Sequence, residues 1–566
     1  MTRDDDFRIR PGRIRPAGGS DLPSALRQVR VAVARAGGRA AATGQLRRTS
    51  TFGRGRAALL KGLRDGAGRR QVVVKARVVR RSPGGALGAH LRYLQRDGVA
   101  QDGEPGRLFD AASDAADVSA FSNRSEGDRH HFRFIVSPED SAELSDLKAY
   151  TRDLLRDMEA DLQTRLDWVA VDHWNTAHPH IHIVVRGRLE TGDDLVISRA
   201  YIGQGIRARA EALVDLELGP PGPAERAASL ARDIEARRWT RLDRTLDRLA
   251  DADRIVDLKR LGAGADRTAV VPLTGRARVL ERLQLAEPIS GGRWRLRTGL
   301  AERLGAVARD EEIAARLTTA ARDRALVRSP EQCTPVPFRA VVSGRVLARG
   351  LDDELRGSGY AVVDGLDGRL HHVTLADAAA PDPRIDAVIR ISPPSRGVHP
   401  MTITLSDLDL ASQVKAEGAT WLDRCLIDPK PLEPAGGFAG DAAEALKARA
   451  DHLAARGLAS RTGDRVSFAS GLLETLRSRE LGAVTADLEA RTGLIHRPVP
   501  EGERVSGIYR RRLDLASGRF AMIDDGLGFS LVPWRPVLQR DLGRAVSGVA
   551  GPGGEIDWRP PRTLGR

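Results

Sequence analysis

A chain of 566 residues with a formal net charge of +14 has room for several hydrophobic cores and is basic enough to seek a polyanion. Residues 1–81 hold 21 Lys and Arg against five Asp and no Glu, so the charge belongs to an N-terminal arm and the remainder is close to neutral. Two distant cysteines, Cys333 and Cys425, exclude a disulfide framework, no apolar run reaches membrane-spanning length, and no Gly-x-x-x-x-Gly-Lys-Ser/Thr loop offers an ATP site; a soluble, cytoplasmic protein without membrane insertion is expected.

The arm over 1–66, with its Arg-Gly and Ala-Gly runs, reads as largely without regular structure apart from a helical pattern near Leu22 to Ala36. A strand is predicted over Gln71–Val79, then a short helix from Gly85 to Gly98 whose apolar stripe is Leu87, Leu91 and Leu94. Tyr93 falls to one side of that stripe, on the flank of His90 and between Arg92 and Arg96, where cationic neighbours favour a phenolate. A longer helix is expected over Ala142–Leu166, with Tyr150 on the apolar face beside Leu147, Leu154 and Met158.

The chain next places four of its twelve histidines within ten residues, from His173 to His182. Asp167–His173 and His180–Val185 read as strands joined by a turn over Asn175–Pro179. Along a strand, residues i and i+2 share a face, so His180 and His182 project together, and a hairpin returns His173 to the same side. Three imidazoles then suit a divalent metal with coordination positions left open. His178, in the turn, receives no role. Tyr201 follows the histidines and competes with Tyr93 as a nucleophile.

After Gly219-Pro220-Pro221-Gly222-Pro223 the pattern turns to charged helix, Ala224 to about Ala252, and a domain boundary is placed there. An internal duplication follows. Leu283-Gln284-Leu285-Ala286 with Gly292-Arg293-Trp294 parallels Gly457-Leu458-Ala459 with Gly463-Asp464-Arg465, each a helix, a short hairpin and a helix. Val342-Ser343-Gly344 leading to Asp364 likewise parallels Val505-Ser506-Gly507 leading to Asp524, each a β-rich segment, and His371-His372 reads as surface.

Leu91 to Gly98, His131 to Pro138 and His173 to Val185 resemble, in that order, the three motifs of the mobilisation-type HUH relaxases, the DNA strand transferases of plasmid conjugation and T-DNA border processing. The resemblance covers roughly residues 70–220. It implies Tyr93 as nucleophile, His173, His180 and His182 as metal ligands, and Arg92 and Arg96 as DNA contacts. It also implies nicking of single-stranded DNA at a transfer origin with accessory origin-binding proteins and a type IV secretion coupling protein as further partners. The expected metal is Mg or Mn, with Zn, Co or Ni as substitutes. Asn175 stands where relatives often carry Asp, and an amide cannot serve as a base.

The expected fold class is α+β: an HUH relaxase domain with an antiparallel sheet and flanking helices over 67–222, and a charged helical linker over 223–270. Beyond these are expected winged-helix-like modules over 271–330 and 441–495, small β-barrel-like modules over 331–400 and 496–566, and a linker over 401–440. Two other functions compete: a rolling-circle replication initiator using Tyr201, and a non-catalytic basic DNA-binding protein with a structural metal.

Overall fold

A computed structural model describes residues 69–80, 86–95, 104–174, 179–263, 270–333, 341–353, 355–375, 383–393, 401–428, 437–462, 465–552 and 555–559. The expected basic arm, Arg96, Asn175 and His178 lie outside the described residues. Helices and antiparallel sheets alternate in an α+β arrangement that divides into two units, Met1–Ser229 and Leu230–Arg566. Among the described residues no helix is long and apolar enough to cross a membrane.

The first unit runs β1 (Val72–Arg80), α1 (Ala86–Leu94), α2 (Val118–Arg124), β2 (His130–Pro138), α3 (Leu147–Leu162), β3 (Trp168–His173), β4 (His180–Arg186) and α4 (Ile206–Leu218). The strands form one antiparallel sheet in the order β1-β2-β4-β3. Alternation divides each strand cleanly. One face, with Phe132, Phe134, Ile181 and Ile183, is buried against Leu154 and Met158 of α3 and Ala210 and Val214 of α4. Tyr150 belongs to this core, and its hydroxyl donates to the Ala210 carbonyl at 3.1 Å. α3 is shorter than its apolar period suggests, because the Asp146 carboxylate caps the amides of Lys148 and Ala149 and Gln163 leaves the helix in the left-handed region at φ 54°.

The second unit opens within α5 (Pro223–Glu235) and continues through α6 (Arg241–Leu249), β5 (Ile255–Asp257), α7 (Leu258–Ala263), α8 (Val270–Arg282), β6 (Ala286–Ile289), β7 (Arg293–Leu296), α9 (Leu300–Asp323), β8 (Val342–Asp353), β9 (Ser358–Gly365), β10 (Leu370–Leu375), β11 (Val388–Ser392) and β12 (Met401–Ser406). Then come α10 (Leu410–Lys415), α11 (Trp421–Ile427), α12 (Phe438–Ala455), β13 (Ala459–Thr462), β14 (Arg465–Phe468), α13 (Leu472–Thr492), β15 (Ile495–His496), β16 (Arg504–Leu515), β17 (Gly518–Asp524), β18 (Gly528–Pro533), β19 (Ala545–Ala550) and β20 (Ile556–Arg559).

Residues 223–270, expected as a charged linker, instead supply Leu242, Leu246, Val256 and Leu258 to a core shared with Leu273 and Leu280 of α8. The charged pattern concealed this because α6 carries only a narrow apolar stripe, and Thr240 and Asp243 cap it reciprocally. The two larger sheets share one strand order, β10-β9-β8-β11-β12 and β18-β17-β16-β19-β20, with β15 added in parallel to β18. In both Val-Ser-Gly segments the glycine is required by close approach: a Cβ at Gly344 or Gly507 would run into the carbonyl oxygen of Asp364 or Asp524.

Candidate metal centre

His173 closes β3, and His180 and His182 open β4. The register sets His173 opposite His180 and Val171 opposite His182. Directly opposed residues share a face, as do residues two apart, so all three imidazoles stand together on the sheet face away from α3 and α4. Their ring centroids lie 5.4, 4.4 and 5.0 Å apart. Exposure is 0 % for His173, 7 % for His180 and 3 % for His182, and one ring nitrogen from each falls within 4.8 Å of the others. The Nε2 atoms of His180 and His182 face each other at 3.2 Å.

His173 Nε2 lies 2.9 Å from the carbonyl oxygen of Leu94. A carbonyl can only accept, so Nε2 carries the proton and Nδ1 keeps the lone pair that could serve a cation. Bracing of a metal-binding histidine by a carbonyl fixes its tautomer and raises its basicity. Among the described residues the cluster is three buried imidazoles with no carboxylate, a set that could hold a divalent ion with coordination positions left open. The same hydrogen bond sets the end of α1 against the histidines, and Leu91 and Leu94 are buried as the helical stripe requires. His90, read beside Tyr93 on an open flank, is buried as well, because a nine-residue helix on the sheet hides more than its apolar stripe. Tyr93 occupies the position before Leu94; its side chain lies outside the described residues, whereas Arg92 is exposed.

The histidine face continues toward β1. Ile135 pairs with both His182 and Lys75, and Arg133 pairs with both Val184 and Arg77. Lys75 and Arg77 are exposed, whereas Arg133 is buried and donates from Nε to His131 Nε2 at 3.0 Å. Burial, aided by the Arg133 charge, pushes His131 down to about 3, so the ring is neutral and able to accept. This basic flank escaped the sequence reading, although Lys75 and Arg77 at i and i+2 of a predicted strand were enough to find it.

Tyr201 is corrected as a nucleophile. It is fully buried in the core between the sheet and its helices, on the face opposite the histidines, and its hydroxyl donates to Asp161 Oδ2 at 2.7 Å. Desolvation and the neighbouring Asp161 charge push its ionisation far above the ordinary tyrosine range. Asp172 also faces away from the imidazoles and accepts from Trp174 Nε1 at 2.6 Å, so it does not replace the carboxylate missing at Asn175.

A family model described as protein of unknown function (DUF3363) matches residues 273–404 and 396–566, together just over half of the chain. No curated protein and no solved structure matches.

Proposed function

We propose, for a chain that belongs to the DUF3363 family of unknown function, that the first unit is a relaxase: a metal-dependent DNA strand transferase that nicks one strand at the transfer origin of a plasmid or mobile element. The observation that carries this reading is the hydrogen bond from His173 to Leu94, which seats the helix bearing Tyr93 on the imidazole cluster. The ordered motifs around Tyr93, His131 and His173 support it, as does the cationic pair Lys75 and Arg77 on the histidine face.

His173, His180 and His182 would hold a divalent cation, which supplies neutralisation of charge on a non-bridging phosphate oxygen. Lys75 and Arg77 bind flanking phosphates, and Arg92 adds a further cation beside the tyrosine. The Tyr93 oxygen forms a bond to phosphorus as its proton leaves to solvent, and the bond from phosphorus to the 3′ oxygen breaks. That oxygen takes up a proton to give a free 3′-hydroxyl, and the protein keeps the 5′-phosphate as a phosphotyrosine ester. Because the ester preserves the energy of the broken bond, the reverse attack rejoins the strand without ATP.

The test uses a labelled single-stranded origin oligonucleotide with Mn²⁺ or Mg²⁺. The expected result is a covalent, protease-sensitive adduct that Tyr93→Phe abolishes and Tyr201→Phe leaves intact. Adduct formation by Tyr93→Phe at the level of the unaltered chain would overturn the assignment. Metal-dependent stabilisation with no cleavage of any strand would point instead to a structural metal.

A further inference from the structure

Residues 241–296 pass through helix, strand, helix, helix and two further strands: α6, β5, α7, α8, β6 and β7. β7 lies between β5 and β6, and α7 packs on α8. This is the connectivity of a winged helix, in which α8 would be the helix offered to a DNA groove and the β6–β7 turn the wing. Connectivity alone does not assign a function. The surface of α8 adds the needed observation.

Leu273, Arg276, Ala277 and Leu280 of α8 point inward, which leaves Val271, Thr274, Arg278 and Glu281 along the outer face. Val271 is 78 % exposed on the helix that buries Val279 to 3 %. Arg278 on the same helix and Lys259 and Arg260 on the adjoining α7 are exposed as well. A valine and a threonine on a helix face that also carries Arg278, with two further cations on the helix packed against it, suit what a major groove presents: thymine methyls and base-edge acceptors between two rows of phosphates.

The second half of the unit provides an internal contrast. With Arg449 of α12 aligned on Arg276, the outer positions of Val271, Thr274, Arg278 and Glu281 become Glu444, Lys447, Asp451 and Ala454, so the single acid is replaced by two. Asp451 is moreover paired with Arg461 of the adjoining hairpin at 2.8 Å. That surface would repel phosphates where its counterpart attracts them.

We infer that the α7–α8 face of residues 241–296 binds duplex DNA, and that its duplicate over 421–468 does not. The inference is independent of the strand-transfer reading, since it needs neither Tyr93 nor a metal. The test is hydrogen exchange on the full chain, without divalent metal, in the presence of a mixed-sequence duplex of about 20 base pairs, long enough for two helical turns. The duplex should slow exchange in peptides spanning 270–296 and leave 438–468 unchanged, and the matching single strand should not protect 270–296. Arg278→Glu, an exposed change that leaves the fold intact, should abolish that protection, while Arg278→Lys retains it; contacts of the basic arm with DNA do not affect this local signal. Unchanged exchange over 270–296, equal protection over 438–468, equal protection by the single strand, or full protection in Arg278→Glu would each overturn the inference.

Discussion

The two halves of the second unit solve one structural problem identically and another in opposite ways. In the first half the fully buried Arg276 donates to both carboxylate oxygens of Asp243, at 2.7 and 2.9 Å, and to the carbonyls of Ile234, Ala236 and Arg238. Arg449 does the same with Asp423 and the carbonyls of Val414, Ala416 and Gly418. Thr240 and Thr420 complete matching capping boxes. The sheets then diverge. In the first, Arg316 lies 4.2 Å above the Tyr360 ring and donates to Asp352 and His372, with Arg309 also on Asp352. In the second, a cluster of Leu488, Met522 and Phe529, with Leu513 and Leu531 packed on it, occupies the corresponding place. His372 pairs with Val362 as Leu531 pairs with Met522, so the polar and apolar versions fill the same register. The difference teaches that a buried guanidinium is retained where it gathers loop carbonyls that no apolar side chain could satisfy. A partly buried one such as Arg316 is replaceable where it joins strands to a helix.

Breaking the shared element should cost most. Arg276→Met or Arg449→Met strands a buried carboxylate and three carbonyls, and each should lower stability by about 3–5 kcal/mol in denaturant unfolding. A loss below about 1 kcal/mol in either would show that the two cages are not equivalent.

A smaller effect separates the halves by pH. Burial holds His372 down at about 4, below the ordinary histidine value near 6.5. The unfolded chain therefore binds the extra proton first, so stability present above about pH 6.5 is lost as pH falls toward 4 and the loss then levels off. The amount is on the order of 3 kcal/mol. His372→Leu, which copies Leu531, should flatten this part of the profile when urea midpoints are followed from pH 7.5 to 4. Parallel profiles for the two proteins would remove His372 as the cause.

The smallest change is expected from copying the whole apolar version into the first half. Arg316→Leu, Asp352→Leu and His372→Leu together should leave stability within about 1 kcal/mol of the parent or raise it, because the desolvation cost of the ion network disappears along with its attractions. Asp352→Leu alone leaves Arg309 without its carboxylate and Arg316 with Glu312 only, and should be the worse variant in the same calorimetric comparison. The reverse order would mean that the network, not the packing, holds this sheet to its helix.

His371 and His372 also show where local reading fails. Two adjacent histidines in a β-rich stretch look like an exposed tip, yet His371 is buried against Asp367 at 2.9 Å, and His372, partly buried as a residue, has its ring covered against Arg316. Their partners differ in kind. Asp367 is four residues away and in principle legible, whereas Arg316 arrives from a helix 56 residues earlier. The linker expected over 223–270 failed for the same reason: Leu242 and Leu246 are too sparse to announce a core until Leu273 and Leu280 close over them.

The sequence by itself determined what depends on short periods: that His180 and His182 share a strand face, that Leu91 and Leu94 share a helix face, and that the Val-Ser-Gly segments recur. These follow from backbone geometry over a few residues, which no tertiary partner alters. Only the tertiary structure decided that the carbonyl of Leu94 braces His173, that β1 brings Lys75 and Arg77 onto the histidine face, and that Tyr201 is buried on the other side. Those outcomes join residues many positions apart, and they are selected by which apolar faces can be covered together rather than by any pattern within one segment.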